Sequence, residues 1–350
     1  MTRFHLYVGT YTQKGGTGIE HYAFDNETGG FALLDAAPAP NPSYLALSPD
    51  GQTLYACLEA PLYEGMGGVA AFRRAQDGSL REIGRQSAGG GAPCHVLVHP
   101  SGRTLYVANY GSGSLTQFAL EADGNLGQRM VFAHHGHSVI PVRQEGPHAH
   151  CAALMPGGRT LCVVDLGLDA ILRYPLDEAG RVTGEPARTA APAGSGPRHM
   201  VFSPDGSRAY AVCELGNRIL TYQVEGGELT LIGDASTLPE DYQGFSSCAA
   251  LRLTGDGKRL YLTNRFHDTL AQFDADGQGG IECAGWTPTG GKNPRDCALA
   301  PGEGFILCAH QDSDEVTILK LDPATGRASL APTAIGASMP VAVLFGGPVS

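Results

Sequence analysis

The feature that most constrains this chain is a pattern that recurs about every 50 residues. Each copy has a short polar or proline-containing start, an apolar strand, a tight glycine turn and a second apolar strand, as in APCHVLVHPSGRTLYVANY from Ala92. The turn glycines are 51, 56, 48 and 51 residues apart. Several short strands in a unit of this length are typical of a β-propeller. The glycines in question are Gly51, Gly102, Gly158, Gly206 and Gly257.

The two ends of the chain supply a seventh unit. Residues 338–346, SMPVAVLFG, match a first strand that has no partner after it, and residues 4–12, FHLYVGTYT, match a second strand with no first strand before it. Joining them completes one more blade and leaves no open sheet edge. We therefore predict an all-β fold, a single seven-bladed β-propeller domain over residues 1–350 with four-stranded blades and little helix. The alternative is a two-domain all-β protein.

Charge and composition argue against several classes of partner. The chain has 24 Lys and Arg against 35 Asp and Glu, a net charge of −11, and no basic tract, so we expect no nucleic-acid partner. No run approaches the roughly 18 apolar residues that span a bilayer, and the N-terminus passes directly into a strand pattern. We therefore expect neither a membrane partner nor a signal peptide. A few arginines in a cleft can still attract a small anion, and the oligomeric state stays open.

The nine cysteines indicate a reducing compartment. Their number is odd, no CxxC pair occurs, and most lie inside apolar runs, as do Cys57, Cys162 and Cys308. Such residues are typical of reduced, buried thiols. The sequence therefore predicts a cytoplasmic protein.

The hairpin in each repeat predicts where functional side chains gather. If the first strand is innermost and the second pairs antiparallel beside it, the starts of first strands and the ends of second strands meet at one end of the channel. These positions are rich in His, Arg and carboxylates, which suit acid–base chemistry on an anionic substrate. The starts carry Asn41, Cys94, His95, His148, His150, Arg198, His199, Ser247, Arg295 and Asp296, and the ends carry Tyr11, Glu59, Asn109, Tyr110, Asp165, Glu214, Asn217, Arg265, His267, Gln311 and Asp312.

The two histidines of the GPHAH segment allow three interpretations. His148 and His150 could bind a metal, act as a base or only satisfy backbone carbonyls. Alternation along an extended strand predicts that one of the two faces the channel. A hard cation would need several carboxylates, and Glu59, Asp165 and Glu214 are those that could cooperate. Since no motif for a metal, a GxSxG nucleophile or a phosphate loop is present, we expect no metal and no cofactor.

The arginines and their acidic neighbour are also ambiguous. Arg198 and Arg295 each follow a proline at equivalent positions, where they could bind ligand or pack across neighbouring loops. Arg265 could bind an anion or a surface carboxylate. Glu214 could orient an arginine or move a proton.

Nine segments, distributed from Tyr7 to about Lys320, match one known family in order. They are YVGTYT, NPSYLALSPDG, PCHVLVHPSGRTLYVANYGSGS, GPHAH, VVDLG, GSGPRHMVFSPDG, NRFHD, GGKNPRD and HQDSDEV. The chain thereby resembles the bacterial seven-bladed propeller lactonases, whose best-known activity is that of 6-phosphogluconolactonase in the pentose phosphate pathway. The family also includes fungal carboxymuconate-lactonizing enzymes, in which a His, two Arg and a Glu are implicated. The resemblance assigns these roles to His148, Arg198, Arg265 and Glu214.

The leading hypothesis is therefore metal-independent hydrolysis of 6-phospho-D-glucono-1,5-lactone to 6-phosphogluconate. His148 would activate water, Arg198 would stabilise the tetrahedral oxyanion, and Glu214 would orient one of them. The alternatives are a carboxymuconate-type lactonizing cycloisomerase, a lactonase of another sugar lactone, and a non-catalytic scaffold. The remaining predicted substrate-binding residues are Arg265 and Arg295 for the phosphate, with His95, Asn109, His199 and Gln311.

Two positions depart from the family pattern. Ala250 stands where many relatives have a glutamate, and Asp296 follows Arg295 where asparagine is more familiar. If the missing glutamate lines the channel, the substrate or its affinity differs from that of the type enzyme.

Overall fold

Every regular element is a β-strand in residues 2–349, the part of the chain that the computed structural model describes. The strands form seven sheets of four strands each, in which neighbours pair antiparallel. One sheet combines strands from both chain ends. The prediction of seven four-stranded blades, one of them closed by the N- and C-terminal strands, is confirmed.

Each sheet takes four strands that are consecutive in the chain, except the one that the termini close. The closing sheet has the order β28-β1-β2-β3, with β1 (Arg3–Thr10), β2 (Gly18–Asp25), β3 (Phe31–Pro38) and β28 (Pro340–Pro348). The next three sheets contain β4 (Pro42–Leu47), β5 (Thr53–Tyr63), β6 (Met66–Arg74) and β7 (Leu80–Ser87); β8 (Pro93–Val98), β9 (Thr104–Asn109), β10 (Ser114–Leu120) and β11 (Leu126–Ala133); and β12 (Ala149–Leu154), β13 (Thr160–Asp165), β14 (Ala170–Pro175) and β15 (Ala187–Ala190). The last three contain β16 (Pro197–Phe202), β17 (Arg208–Cys213), β18 (Arg218–Glu225) and β19 (Glu228–Ser236); β20 (Ser247–Leu253), β21 (Arg259–Arg265), β22 (Thr269–Ala275) and β23 (Ile281–Pro288); and β24 (Pro294–Leu299), β25 (Phe305–His310), β26 (Glu315–Leu321) and β27 (Ala328–Gly336).

The turns at residues 48–51, 203–206 and 254–257, between first and second strands, each contain a serine or threonine, an aspartate and a glycine. In the turn between β16 and β17, the Asp205 carboxylate accepts hydrogen bonds from the Ser203 hydroxyl and from Ser207, which lower the pKa of Asp205 to about 2. Gly206 has a φ of +74°, a left-handed conformation that glycine adopts without a steric penalty. The repeated SPDG motif is therefore explained by folding rather than by function.

The first strands carry a β-bulge near their start. In β8, Pro93 pairs with Asn109 and His95 pairs with Ala108, so that Cys94 is an extra residue. The same irregularity occurs in β4, β12, β20 and β24. A bulge breaks the alternation of a strand and redirects side chains, which is why bulges are common beside active sites. The extra residues in β4, β12 and β24 are Ser43, His150 and Arg295.

The chain divides into two compact units: a middle unit, Ala37–Met200, and a terminal unit, Met1–Ala36 with Val201–Ser350. Each has its own buried apolar clusters between adjacent sheets, around Tyr106 and Val163 in the middle unit and around Leu6 and Leu307 in the terminal unit. A single domain stays a prediction. No helix in residues 2–349 is long and apolar enough to cross a membrane.

Candidate active site

In the middle unit, the imidazole of His148 is held in one tautomer. Its Nδ1 lies 2.9 Å from the carbonyl oxygen of Tyr110, which can only accept, so Nδ1 carries the proton and donates it. The ring stacks on that of Tyr110, with centroids 4.4 Å apart and planes 16° apart. This arrangement leaves Nε2 with its lone pair, which is what a general base requires.

The backbone of His148 is fixed by a buried carboxylate at the end of β13. Asp165 Oδ1 accepts from the amides of His148 at 2.8 Å and Leu168 at 3.0 Å, while Oδ2 lies 2.6 Å from Nδ1 of His134. Both side chains of the Asp165–His134 pair are fully buried. Asp165 therefore holds the segment that carries His148. His134 was not predicted from the sequence, because its place after β11 belongs to neither set of strand ends.

The GPHAH segment also packs tightly against glycine backbone. A Cβ added at Gly167 would lie 2.0 Å from the carbonyl oxygen of Gly146 and 2.9 Å from Cδ2 of His148. A side chain at position 167 would therefore displace His148.

A cluster of aromatic and imidazole rings extends from His148 through the middle unit. His150 lies 5.5 Å from Tyr110 and 5.6 Å from His199 between ring centroids. His199 lies 5.7 Å from His95, which in turn packs on Tyr44 at 4.2 Å. The starts of neighbouring first strands therefore meet within this unit, as the hairpin argument predicts. Tyr44 was missed because an aromatic residue in an apolar strand is ordinarily core.

Arg198 is buried and lies within this ring cluster. Its Nη1 is 3.1 Å from Nε2 of His199, and because a guanidinium can only donate, that nitrogen accepts. His199 consequently carries its proton on Nδ1. The arrangement provides a fixed positive charge within a group of polar rings, where it would interact strongly with a developing oxyanion.

The prediction that only one of His148 and His150 faces the channel assumed regular alternation, and that assumption is wrong. Both rings contact the same side chain, Tyr110. The cause is the bulge in β12: Ala149 pairs with Asp165 and Cys151 with Val164, so His150 is the extra residue.

Asn109 also needs correction as a predicted substrate contact. Its side chain is fully buried, and its amide donates to the hydroxyls of Ser114 and Thr116. Thr116 donates in turn to the carbonyl of Ala88. Asn109 therefore links strands inside the protein.

In the terminal unit, Glu214 and Arg265 form a nearly buried ion pair with a separation of 2.8 Å. The guanidinium also donates to the Ser247 hydroxyl at 2.8 Å, the Ser247 carbonyl at 3.2 Å and the Cys248 carbonyl at 3.3 Å. Of the two roles predicted for Glu214, the structure records contact with an arginine, namely Arg265. Charge-assisted bonds of this kind hold a guanidinium rigidly.

The other predicted arginine of the terminal unit, Arg295, is the bulged residue of β24 and lies 5.7 Å from the ring centroid of Tyr11. Its neighbour Asp296 forms a 2.7 Å ion pair with Arg252 and accepts from the amide of Val343. The aspartate at this position thus ties β24 to β20 and β28. Gln311, predicted to bind substrate, is half-buried beyond the end of β25.

Position 250, where many relatives have a glutamate, is not exposed in this protein. Ala250 is fully buried in an apolar cluster with Tyr261, Leu270 and Cys297. Its amide donates to the hydroxyl of Thr263. In this chain the position therefore belongs to the core between sheets.

The cysteines and the metal-binding groups can be surveyed across residues 2–349. All nine cysteines are free, and eight are buried, with Cys283 exposed. This agrees with the prediction of reduced, mostly buried thiols. Within the same residues no three His, Cys, Asp or Glu side chains are grouped as a metal site.

Comparison with known proteins gives consistent matches along the whole chain. The profile of the family described as "Lactonase, 7-bladed beta-propeller" matches residues 5–345. A Bacillus subtilis (strain 168) protein named 6-phosphogluconolactonase is 35% identical over 352 residues, covering 99% of each chain. The periplasmic gluconolactonase PpgL of Pseudomonas aeruginosa superposes with a TM-score of 0.93 at 31% identity, over 99% of this chain and 100% of that one. A protein from Lactobacillus plantarum superposes with a TM-score of 0.91 at 33% identity, over 98% and 99%.

Proposed function

Because the chain belongs to the seven-bladed β-propeller lactonase family, a family of lactone hydrolases, we propose that it hydrolyses 6-phospho-D-glucono-1,5-lactone to 6-phosphogluconate. The observation that carries the proposal is the bond from His148 Nδ1 to the Tyr110 carbonyl, which leaves Nε2 available as a base. The B. subtilis relative, 35% identical, bears the name of this activity. The reaction would belong to the pentose phosphate pathway.

The proposed chemistry is acyl transfer to water. His148 Nε2 takes a proton from water as its oxygen attacks the lactone carbonyl, and Arg198 stabilises the oxyanion of the tetrahedral intermediate. The bond from the carbonyl carbon to the ring oxygen then breaks, and that oxygen receives the proton from His148. The product is the open-chain carboxylic acid with a free hydroxyl. A positioned base and a guanidinium supply both the proton transfer and the charge stabilisation, so the proposed reaction needs no metal.

The phosphate would be bound by arginine. Arg265 is the stronger candidate because Glu214 and Ser247 fix its guanidinium in one orientation. Arg295 is proposed as a second contact. Fixed guanidinium groups bind phosphate oxygens with two parallel hydrogen bonds. His95, His199 and Gln311 stay proposed substrate contacts. Asn109 is withdrawn because it is fully buried and its amide donates to the hydroxyls of Ser114 and Thr116.

A second candidate substrate is an unphosphorylated sugar lactone. The structural relative from P. aeruginosa is named a gluconolactonase and is 31% identical over nearly the whole chain. The same base and oxyanion contact would serve this reaction, and only the phosphate contacts would be dispensable.

Turnover of the two lactones by the purified protein tests the proposal. Formation of 6-phosphogluconate is followed with 6-phosphogluconate dehydrogenase, spontaneous hydrolysis is subtracted, and gluconolactone is measured in parallel by acid release. We expect phosphogluconolactone to be preferred, turnover to persist in EDTA, and inorganic phosphate to compete. A preference for gluconolactone would support the unphosphorylated lactone as the substrate. If the protein accelerates the hydrolysis of neither lactone, the proposed lactone hydrolysis is refuted.

A further inference from the structure

The residue that directly follows the fourth strand has the same place in several sheets. In four sheets its amide donates to a carbonyl at the start of the third strand of the same sheet, at 2.9–3.0 Å. In three of the four its carbonyl also accepts a hydrogen bond from a side chain of the next sheet, namely Thr116, Asn264 or Thr317. The place is therefore a link between one sheet and the next. The four residues are Ala88, His134, Thr237 and Thr289.

At His134 the link to the next sheet is made by a side chain. In β14 the position that Thr116 and Thr317 occupy in their own sheets is taken by Leu172, which has no hydroxyl. The bond to the next sheet joins Nδ1 of His134 to Oδ2 of Asp165, at 2.6 Å. The sequence therefore departs from the repeat here, and the departure places an imidazole against a carboxylate at the end of β13.

The imidazole of His134 is committed to Asp165. The carboxylate accepts, so Nδ1 carries a proton and donates it. The other ring nitrogen, Nε2, is buried and has no hydrogen-bond partner in residues 2–349. The ring packs nearly parallel to that of Tyr174, with centroids 6.2 Å apart and planes 26° apart. Within the described part of the chain, Asp165 is thus the one hydrogen-bond partner of this side chain.

The other oxygen of Asp165 contacts the segment that carries the proposed base. Oδ1 accepts from the amides of His148 at 2.8 Å and Leu168 at 3.0 Å. Asn109 has the equivalent position in its own sheet, but its Oδ1 is buried and has no hydrogen-bond partner in residues 2–349. The continuous set of bonds from His134 through Asp165 to His148 is therefore not a general property of the repeat.

We propose that His134 is a positioning residue for His148. By donating to one oxygen of the Asp165 carboxylate, it keeps the other oxygen turned toward the amide of His148. A carboxylate turns easily about the bond that joins it to Cβ, so a bond to one oxygen also fixes the other. The inference rests on the proposed function, because a displaced base loses rate: an error of about 1 Å costs on the order of 100-fold. His134 thereby acts on kcat without touching the substrate.

Three substitutions at His134 test the inference. His134→Leu removes the donor, His134→Asn keeps a nitrogen donor at the position of Nδ1, and His134→Gln moves that donor one bond further from the backbone. We expect His134→Leu and His134→Gln to lower kcat for phosphogluconolactone roughly 10–100-fold with KM unchanged, and His134→Asn to retain most of the parent's kcat.

The matched control is His99→Leu, because His99 is also a buried histidine of the middle unit. Its ring contacts the Ser101 hydroxyl and the Gly158 carbonyl, in the turns at the other end of β8 and β12. This variant should lower the melting temperature and keep kcat, which separates a loss of stability from a loss of positioning.

Nitrogen-15 NMR of the imidazole rings gives a readout that does not depend on turnover. In the parent protein we expect the His148 ring to carry its proton on Nδ1, which donates to the Tyr110 carbonyl. The signals of this ring are identified by their loss in His148→Ala. His134→Leu and His134→Gln should shift or broaden them, and His134→Asn should keep them.

The two readouts separate this inference from the proposed function. If the parent hydrolyses the lactone but His134→Leu keeps both kcat and the His148 signals, the positioning role is refuted and the hydrolase stands. If His134→Leu does not fold, the other two variants decide, and equal kcat in His134→Gln and His134→Asn refutes the role. If the parent hydrolyses no lactone, the proposed function is refuted, and unchanged His148 signals in His134→Gln then refute the positioning as well.

Discussion

At the scale of single residues, the tautomer of His148 gives the clearest prediction. Its Nδ1 proton is committed to the Tyr110 carbonyl, so the ring can accept a proton only at Nε2. We expect His148→Ala to lower kcat by about 10²–10⁴-fold, the usual contribution of a general base. His137→Ala is the matched control, because His137 is exposed and precedes the same segment. Steady-state kinetics of both variants decide the point, and an unchanged kcat in His148→Ala would remove His148 from the mechanism.

A second residue, His310, predicts how stability depends on pH. Burial lowers the pKa of His310 from its ordinary 6.5 to about 4, and its Nε2 contacts the Thr317 hydroxyl. Between these values the unfolded chain binds a proton that the folded chain does not, so the free energy of unfolding falls as pH decreases from 6.5 to about 4. At a cost of 1.36 kcal/mol for each pKa unit, the loss is about 3 kcal/mol.

The control variant is His310→Asn, because asparagine occupies the equivalent position of the strand pairing in two other sheets, as Asn109 in β9 and Asn264 in β21. The Asn109 amide donates to the hydroxyl of Thr116, which occupies the position of Thr317 in its own sheet, at 2.9 Å, so the variant can keep the corresponding bond to Thr317. Urea denaturation at several pH values should show a smaller acid loss in His310→Asn than in the parent protein. Parallel curves for the two proteins would show that His310 does not titrate as argued.

Comparing Asn109 with His148 shows what residue identity can and cannot predict. Both lie at strand ends that the repeat places near one another, and both residue types can bind substrate. The prediction held at the level of position, since the histidines and Arg198 of the middle unit do converge. It failed for Asn109 because the sequence does not distinguish a fully buried asparagine side chain from an accessible one.

At the scale of elements, the β-bulges explain why the site differs from what strand alternation predicts. The repeat period and the glycine turns are visible in the sequence, and they correctly predicted the seven four-stranded sheets. A bulge depends on pairing between two strands, so no single strand indicates it. His150 and Arg295 are both bulged residues, and their surroundings could be known only from the structure.

The close approach of Gly167 to the GPHAH segment gives a prediction about this element. A methyl group at position 167 would meet the Gly146 carbonyl and His148, and backbone must move to make room. We expect Gly167→Ala to reduce kcat by roughly 10–100-fold, because a displacement near 1 Å is enough to misalign a catalytic group. Gly304→Ala is the control, since nothing lies within 4 Å of its added Cβ and its φ is not positive. Kinetics together with melting temperatures test this, and equal kcat in both variants would show that the segment adapts without cost.

At the scale of the whole molecule, the free cysteines and the comparisons both concern the cellular compartment of the protein. Eight of the nine free thiols are buried, so they can stay reduced in more than one compartment. One structural relative is named as periplasmic. The cytoplasmic location therefore stays a prediction.

The closing sheet makes the last strand essential to the fold. In β28, Val341, Ala342 and Val343 are buried, and Val343 pairs with Val8 of β1. Burial of each valine contributes about 1.5–3 kcal/mol, so losing this strand removes a large part of a stability that is commonly 5–15 kcal/mol. It also exposes the edge of β1, a template for pairing with another chain. We expect a chain that ends at Gly336 to aggregate or unfold near room temperature.

The matched control ends at Phe345, because it keeps the pairs from Leu6↔Phe345 to Thr10↔Pro340 and loses only Phe4↔Pro348. Melting temperature and light scattering compare the two truncations. Adding a synthetic peptide of residues 337–349 to the shorter chain should restore a cooperative transition, since the peptide can pair with β1 in the native register. A shorter chain that melts like the control would show that β28 does not stabilise the closing sheet.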